Sequence, residues 1–144
     1  MNETLDAPRT LPTQEEMLAA PEADYMSPRQ LAFFRARLIQ ERDALLASAK
    51  DTTVHLRDNE ATPDPSDRAS VEEDHTLELR VRDRERKLLH KIDEAIQRID
   101  NGEYGWCEET GEPIGVARLI ARPTATFSVE AQERYETRRK MRGG

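Results

Sequence analysis

The chain has 144 residues, 36% hydrophobic and 35% charged, and its 22 basic and 29 acidic side chains leave a formal net charge of −7. Such a composition excludes one large compact core and suits long, solvated helices. The acidic balance argues against a general binder of nucleic-acid phosphates and for a protein partner with basic surfaces.

The amino-terminal stretch MNETLDAPRT has no basic start and no apolar run, so no signal peptide is expected. No apolar stretch is long enough to span a bilayer. A single cysteine precludes an intrachain disulfide and fits a reducing cytoplasm. Residues 1–26, with Pro8, Pro12 and Pro21, read as a flexible tail that holds a short helix at 13–20.

Helix signals strengthen at Ser27, Pro28 and Gln30: a capping hydroxyl, a proline at the first helical position, and a Gln three residues after the cap. Leu31, Phe34, Leu38, Glu41 and Leu45 then follow steps of three and four, which predicts a helix to about residue 59 with one polar interruption in its seam. Pro63 and Pro65 end it, because residues before a proline are pushed out of the helical region. Ser66 or Asp67 is the expected cap of a second helix running from about 67 to 100. Val81, Glu85, Leu88, Ile92, Ala95 and Ile99 mark its seam, and Asn101-Gly102 its stop. The two seams can meet only in an antiparallel hairpin with an acidic tip at 62–67. Toward that tip the seam turns polar at Ser48, Thr52 and Glu78, so that end is expected to be the less stable.

The dense charges of residues 80–91 read first as a solvated face laced with weak ion pairs. Arg84, Lys87 and Lys91 stand as candidates for contact with an anionic ligand or partner. Residues 102–127 change character: four glycines, Pro113 and Pro123, and the aromatics Tyr104, Trp106 and Phe127 predict a small knob with tight turns. Ile114, Val116, Leu119 and Ile120 are its expected interior. Ser128 caps a last helix with basic residues crowded at its carboxyl end.

No phosphate loop, metalloprotease helix or nucleophile elbow is present, and Cys107 has no identifiable base, so no enzyme activity is expected. Asp64 and Asp67 have two readings. They make the turn and cap the second helix, or they present concentrated negative charge to a distant pocket. Lys91 and Arg122 are two ordinary surface charges or a pair suited to a polyphosphate.

The succession DPSDRAS, ELRVRDRERKLLHKI and NGEYGWCEETGEPIGVARLIARPTATF resembles the DksA family, TraR included, over residues 25–141. The resemblance implies a mainly α fold: a tail (1–26), a coiled-coil hairpin (27–101), and a degenerate zinc-finger-like knob with a carboxyl-terminal helix (102–144). It implies a cytoplasmic, monomeric transcription factor whose hairpin enters the secondary channel of RNA polymerase. There, with ppGpp, it destabilises open promoter complexes in the stringent response, negatively at ribosomal RNA promoters and positively at some amino-acid biosynthesis promoters. The matching tip residues are Asp64, Asp67 and Ala69, and the matching ppGpp contacts are Lys91 and Arg122. Gln132 and Ala61 stand where the family has a lysine and an asparagine. Two Cys-x-x-Cys pairs of many members fall at Cys107, Thr110, Ser128 and Ala131. One thiol is too few for a structural zinc, so a metal-free knob is expected. Two other readings remain: a coiled-coil adaptor, and a Gre-type stimulator of transcript cleavage.

Overall fold

The computed structural model describes residues 10–60 and 65–143, with the side chains of 51–60, 65–71 and 143 left aside. The described residues hold five α-helices, one 3-10 turn and no strand. They are α1 (Gln14–Ala19), the 3-10 turn Glu22–Asp24, α2 (Pro28–Glu60), α3 (Pro65–Asp100), α4 (Val116–Ala121) and α5 (Val129–Gly143). The fold is mainly α, with two long helices in a hairpin and a small knob, as the sequence predicts.

The described residues of 10–38 and 95–143 group into one compact unit, and those of 39–94 into another. In the 39–94 unit the long helices pair through Arg42–Asp93 at 3.3 Å and through the Ser48 hydroxyl, which donates to Glu85 at 2.6 Å. The partner number falls as the first rises, so the pairing is antiparallel. The seam here is only partly apolar. Leu45, Ala49, Leu79 and Leu89 line a groove of about 420 Å³ together with Glu85. One Glu85 carboxylate oxygen is buried without a hydrogen-bond partner among the described residues.

Three expectations need correction. Val81 and Leu88 are 39% and 41% exposed, whereas Glu85, Ile92, Ala95 and Ile99 do turn inward. The α3 seam keeps Glu78, Glu85, Ile92, Ala95 and Ile99, while Leu89 and Ile96 turn inward beside them and Val81 and Leu88 do not. The second correction concerns the cap. α3 starts at Pro65, where a fixed φ and a missing N–H suit a first helical position. Ser66 and Asp67 thus lie inside the first turn rather than ahead of it. Third, residues 10–26 are not a loose tail: Met17 on α1 is 1% exposed, and α1 packs on α4.

The other unit holds most of the core: Phe34, Leu38, Ala95, Ile96, Ile99, Tyr104, Ile114, Leu119 and Ile120 are buried. Burying a side chain such as Phe34 or Leu38 contributes about 1.5–3 kcal/mol. Phe34 stacks obliquely on Tyr104, centroids 5.5 Å apart. Gly102 ends α3 in the left-handed region at φ 77°, and the Glu103 amide returns to the Arg98 carbonyl at 2.8 Å. Both belong to the Gly-terminated helix ending that Asn101-Gly102 predicts.

Candidate functional site

Four of the residues singled out from sequence converge in the knob. Cys107, Thr110, Ser128 and Ala131 stand where the resemblance places the two Cys-x-x-Cys pairs of many family members. Cys107 is 3% exposed. Burial pushes its thiol upward, but the Thr110 hydroxyl and the amides of Ser128, Thr110 and Glu109 donate to the sulfur and outweigh it, bringing its pKa from 9.0 to about 6. The Ala131 amide donates to the Ser128 hydroxyl at 3.2 Å, which caps α5 as expected. The donor set at these positions is one thiol, two hydroxyls and a methyl. That does not fit a four-donor zinc site, and no other cluster of three His, Cys, Asp or Glu suits a metal among the described residues.

Side chains anchored on loop carbonyls hold the knob together. Tyr104 donates to the Pro123 carbonyl at 2.7 Å in a buried bond. Arg98, in the last turn of α3, donates to the carbonyls of Glu103 and Trp106 and pairs with Glu108 at 2.9 Å. Arg118 on α4 donates to the Phe127 carbonyl at 2.9 Å. Glu109 receives Arg134 at 3.2 Å and Arg138 at 3.1 Å, tying the Cys107 turn to α5. Burial opposes ionisation of Glu109, but the two guanidiniums prevail and hold its carboxyl below the usual value. None of these clamps stood out in the sequence. Arg98 was the one with a signal, a cation in the final helical turn facing a glycine-rich loop.

Of the knob's aromatics, Trp106 is 38% exposed, and Tyr104, at 2%, takes the interior place. The Trp106 backbone instead bridges to Pro113.

The expected polymerase-facing residues are less concentrated. Asp64 and Ala61 lie outside the described residues, and Asp67 and Ala69 lie on α3 without described side chains. Lys91 is exposed on α3 in the 39–94 unit. Arg122, also exposed, caps the end of α4 in the other unit, its amide on the Arg118 carbonyl at 2.7 Å. Gln132 bonds to Glu136 along α5 at 3.2 Å. Of the exposed cations on α3, Lys87 pairs with Asp83, which also receives Arg86 at 2.6 Å. These two partners hold the Asp83 carboxyl below its usual value. No helix among the described residues is long and apolar enough to cross a membrane.

Comparison with known proteins adds the family. Residues 30–99 match the DnaK suppressor protein DksA, N-terminal domain, and residues 102–136 match the prokaryotic dksA/traR C4-type zinc finger. Residues 10–29 lie outside both matches. The RNA polymerase-binding transcription factor DksA of Caulobacter vibrioides is 53% identical over 118 residues, covering 81% of this chain and 83% of that protein. Its counterpart in Escherichia coli is 42% identical over 125 residues, covering 86% and 83%. The structure of transcription factor DksA2 from Pseudomonas aeruginosa matches with a TM-score of 0.83 at 49% identity, covering 89% of this chain and 99% of that one. With a long-helix hairpin, a knob built on the zinc-finger plan, and identity of this order over most of its length, the chain belongs to the DksA family.

Proposed function

We propose that this chain is a cytoplasmic transcription factor that binds bacterial RNA polymerase and acts without catalysing a reaction. The observation that carries this reading is the 53% identity over 118 residues to a protein named for binding RNA polymerase. The hairpin (27–101) is the part that enters the secondary channel. The knob and last helix (102–144) are its base, and the protein acts as a monomer. Asp64 and Asp67, with Ala69 beside them, bring paired negative charge close to the polymerase active centre. There they perturb cations, basic loops and phosphates. Open promoter complexes lose stability, so output falls at ribosomal RNA promoters and rises at some amino-acid biosynthesis promoters. No base is read.

The effector shared with the polymerase is ppGpp, contacted by Lys91 and Arg122, cations of the kind that recognise phosphates through charge-assisted hydrogen bonds. Gln132 and Ala61 replace a cation and an amide of the family pattern and weaken that response. The knob works without zinc: metal analysis of the purified chain gives far less than one zinc per chain, and stoichiometric zinc overturns this point.

The deciding experiment is transcription by purified RNA polymerase from a ribosomal promoter, with and without ppGpp, as the chain is added. Reduced output without RNA cleavage supports the reading. Unchanged output favours the coiled-coil adaptor, and trimming of stalled transcripts favours the Gre-type stimulator.

A further inference from the structure

We propose that residues 13–26 are a strap that completes the knob, with Tyr25 as the residue that locks it, so that the knob is ordered only while the strap is seated. The strap lies outside both family matches, and the proposal does not rest on the functional reading above.

The key contact spans 80 and 90 residues of sequence. The Tyr25 hydroxyl donates to the Gly105 carbonyl at 2.6 Å and accepts from the Gly115 amide at 2.8 Å. One phenol therefore joins the two ends of the loop that carries Cys107 and the Trp106–Pro113 bridge. The Gly105 carbonyl also accepts from the Ile114 amide at 2.8 Å, so the phenol closes a ring of bonds at the mouth of that loop. The Tyr25 ring stands edge-on to Trp106, centroids 5.3 Å apart with an interplanar angle of 85°. Burial raises the phenol above its ordinary value, against the pull of the Gly115 and Ile114 amides, which keeps its proton available for donation.

The neighbouring residues are arranged to hold Tyr25 there. Met26 is the single non-glycine residue with positive φ among the described residues, at 55°. Left-handed backbone is uphill for such a residue and persists where its surroundings enforce it. The buried Gln30 side chain accepts from the Met26 amide at 3.0 Å. The Met26 thioether fills the space over Gly105, where a Cβ would lie 2.6 Å from its sulfur. At the other end, Thr13 and Glu16 close a capping box on α1, Glu16 meets Arg29 at 4.0 Å, and Met17 is buried. A knob without a metal cross-link lacks the contribution that a bound zinc makes to folding. The strap supplies a cross-link from outside the knob's own sequence.

The test uses the full-length chain, whose single tryptophan, Trp106, reports on the contact. Tyr25→Phe removes both hydrogen bonds but keeps the ring. It is expected to move Trp106 emission to longer wavelength and lower the thermal midpoint by roughly 5 °C, with the far-ultraviolet signal of the long helices retained. Met17→Ser, which loosens α1 without touching Tyr25, is expected to shift Trp106 emission in the same direction. Trp106 emission and midpoint unchanged in Tyr25→Phe overturn the proposal. A Met17→Ser chain with wild-type Trp106 emission overturns it as well, since Tyr25 would then act without the strap. If Tyr25→Phe yields no folded chain, Glu16→Ala is read by the same two signals in its place.

Discussion

Cys107 is buried, yet its sulfur is surrounded by donors: the Thr110 hydroxyl and the amides of Ser128, Thr110 and Glu109. This is the environment of a thiolate. The folded pKa of about 6 lies below the ordinary 9.0, so the folded state binds the proton more weakly than the unfolded chain does. The stability it contributes is complete above about pH 9 and lost as the pH falls through 6. The difference in urea midpoint between wild type and Cys107→Ala should therefore grow from pH 6 to pH 9. A constant difference across that range counts against a buried thiolate. The sequence marked Cys107 and three companion positions through the Cys-x-x-Cys spacing that the resemblance implies. It did not distinguish Tyr104 from Trp106 as the interior aromatic. That choice turns on which polar atom finds a partner: the Tyr104 hydroxyl reaches the Pro123 carbonyl, and nothing in a loop sequence encodes such a contact. Charge at single exposed sites was easier to read. Lys91 and Arg122 are both exposed, so Lys91→Ala or Arg122→Ala should leave the fold intact. Each should blunt the promoter response to ppGpp more than the effect seen without it. An undiminished response to ppGpp removes that residue from the proposed contact.

Among the elements, the long helices show what periodicity can and cannot specify. Their ends near 28, 60 and 100 follow from Ser27-Pro28, from Pro63 and Pro65 between the two helices' periodic stretches, and from Asn101-Gly102. The face of α3 that turns inward does not follow as well. Steps of three and four from Glu85 reach Leu88 or Leu89, and from Ile92 reach Ala95 or Ile96, so periodicity alone does not choose between neighbours. The structure turns Leu89 inward rather than Leu88, buries both Ala95 and Ile96, and keeps carboxylates of the seam facing inward. Glu85 shows the consequence: one oxygen is held by Ser48 and the other is buried without a partner among the described residues. A buried oxygen left unsatisfied costs about 1–3 kcal/mol. Glu85→Leu should consequently raise stability by about 1 kcal/mol, seen as a higher urea midpoint at unchanged slope. A lower midpoint would mean that the carboxylate makes a stabilising contact, and that the groove beside it tolerates no larger apolar side chain. A polar seam of this kind also accounts for the expectation that helix pairing weakens from Leu45 toward Ser48 and Glu78, since each polar position replaces an apolar contact that would otherwise stabilise the pair.

At the scale of the whole molecule, the proposed activity separates two tasks along one chain. The knob achieves its order through clamps on carbonyls, Tyr25, Arg98, Tyr104 and Arg118, and through the Glu109 bridges to α5. In the proposed activity the hairpin delivers a short acidic segment containing Asp64 and Asp67. If binding is the work of helix faces and the promoter effect is the work of the tip, the two should separate on mutation. Asp64→Asn and Asp67→Asn each remove one charge while preserving size and hydrogen-bonding capacity at the turn. Each should abolish repression of a ribosomal promoter while leaving the affinity for RNA polymerase within about threefold, a difference of under 1 kcal/mol. The measurement is a pair of titrations on the same preparation, polymerase binding and promoter output. Parallel loss of both would assign the aspartates to docking. Loss of neither would return them to the plainer role of shaping the turn between α2 and α3.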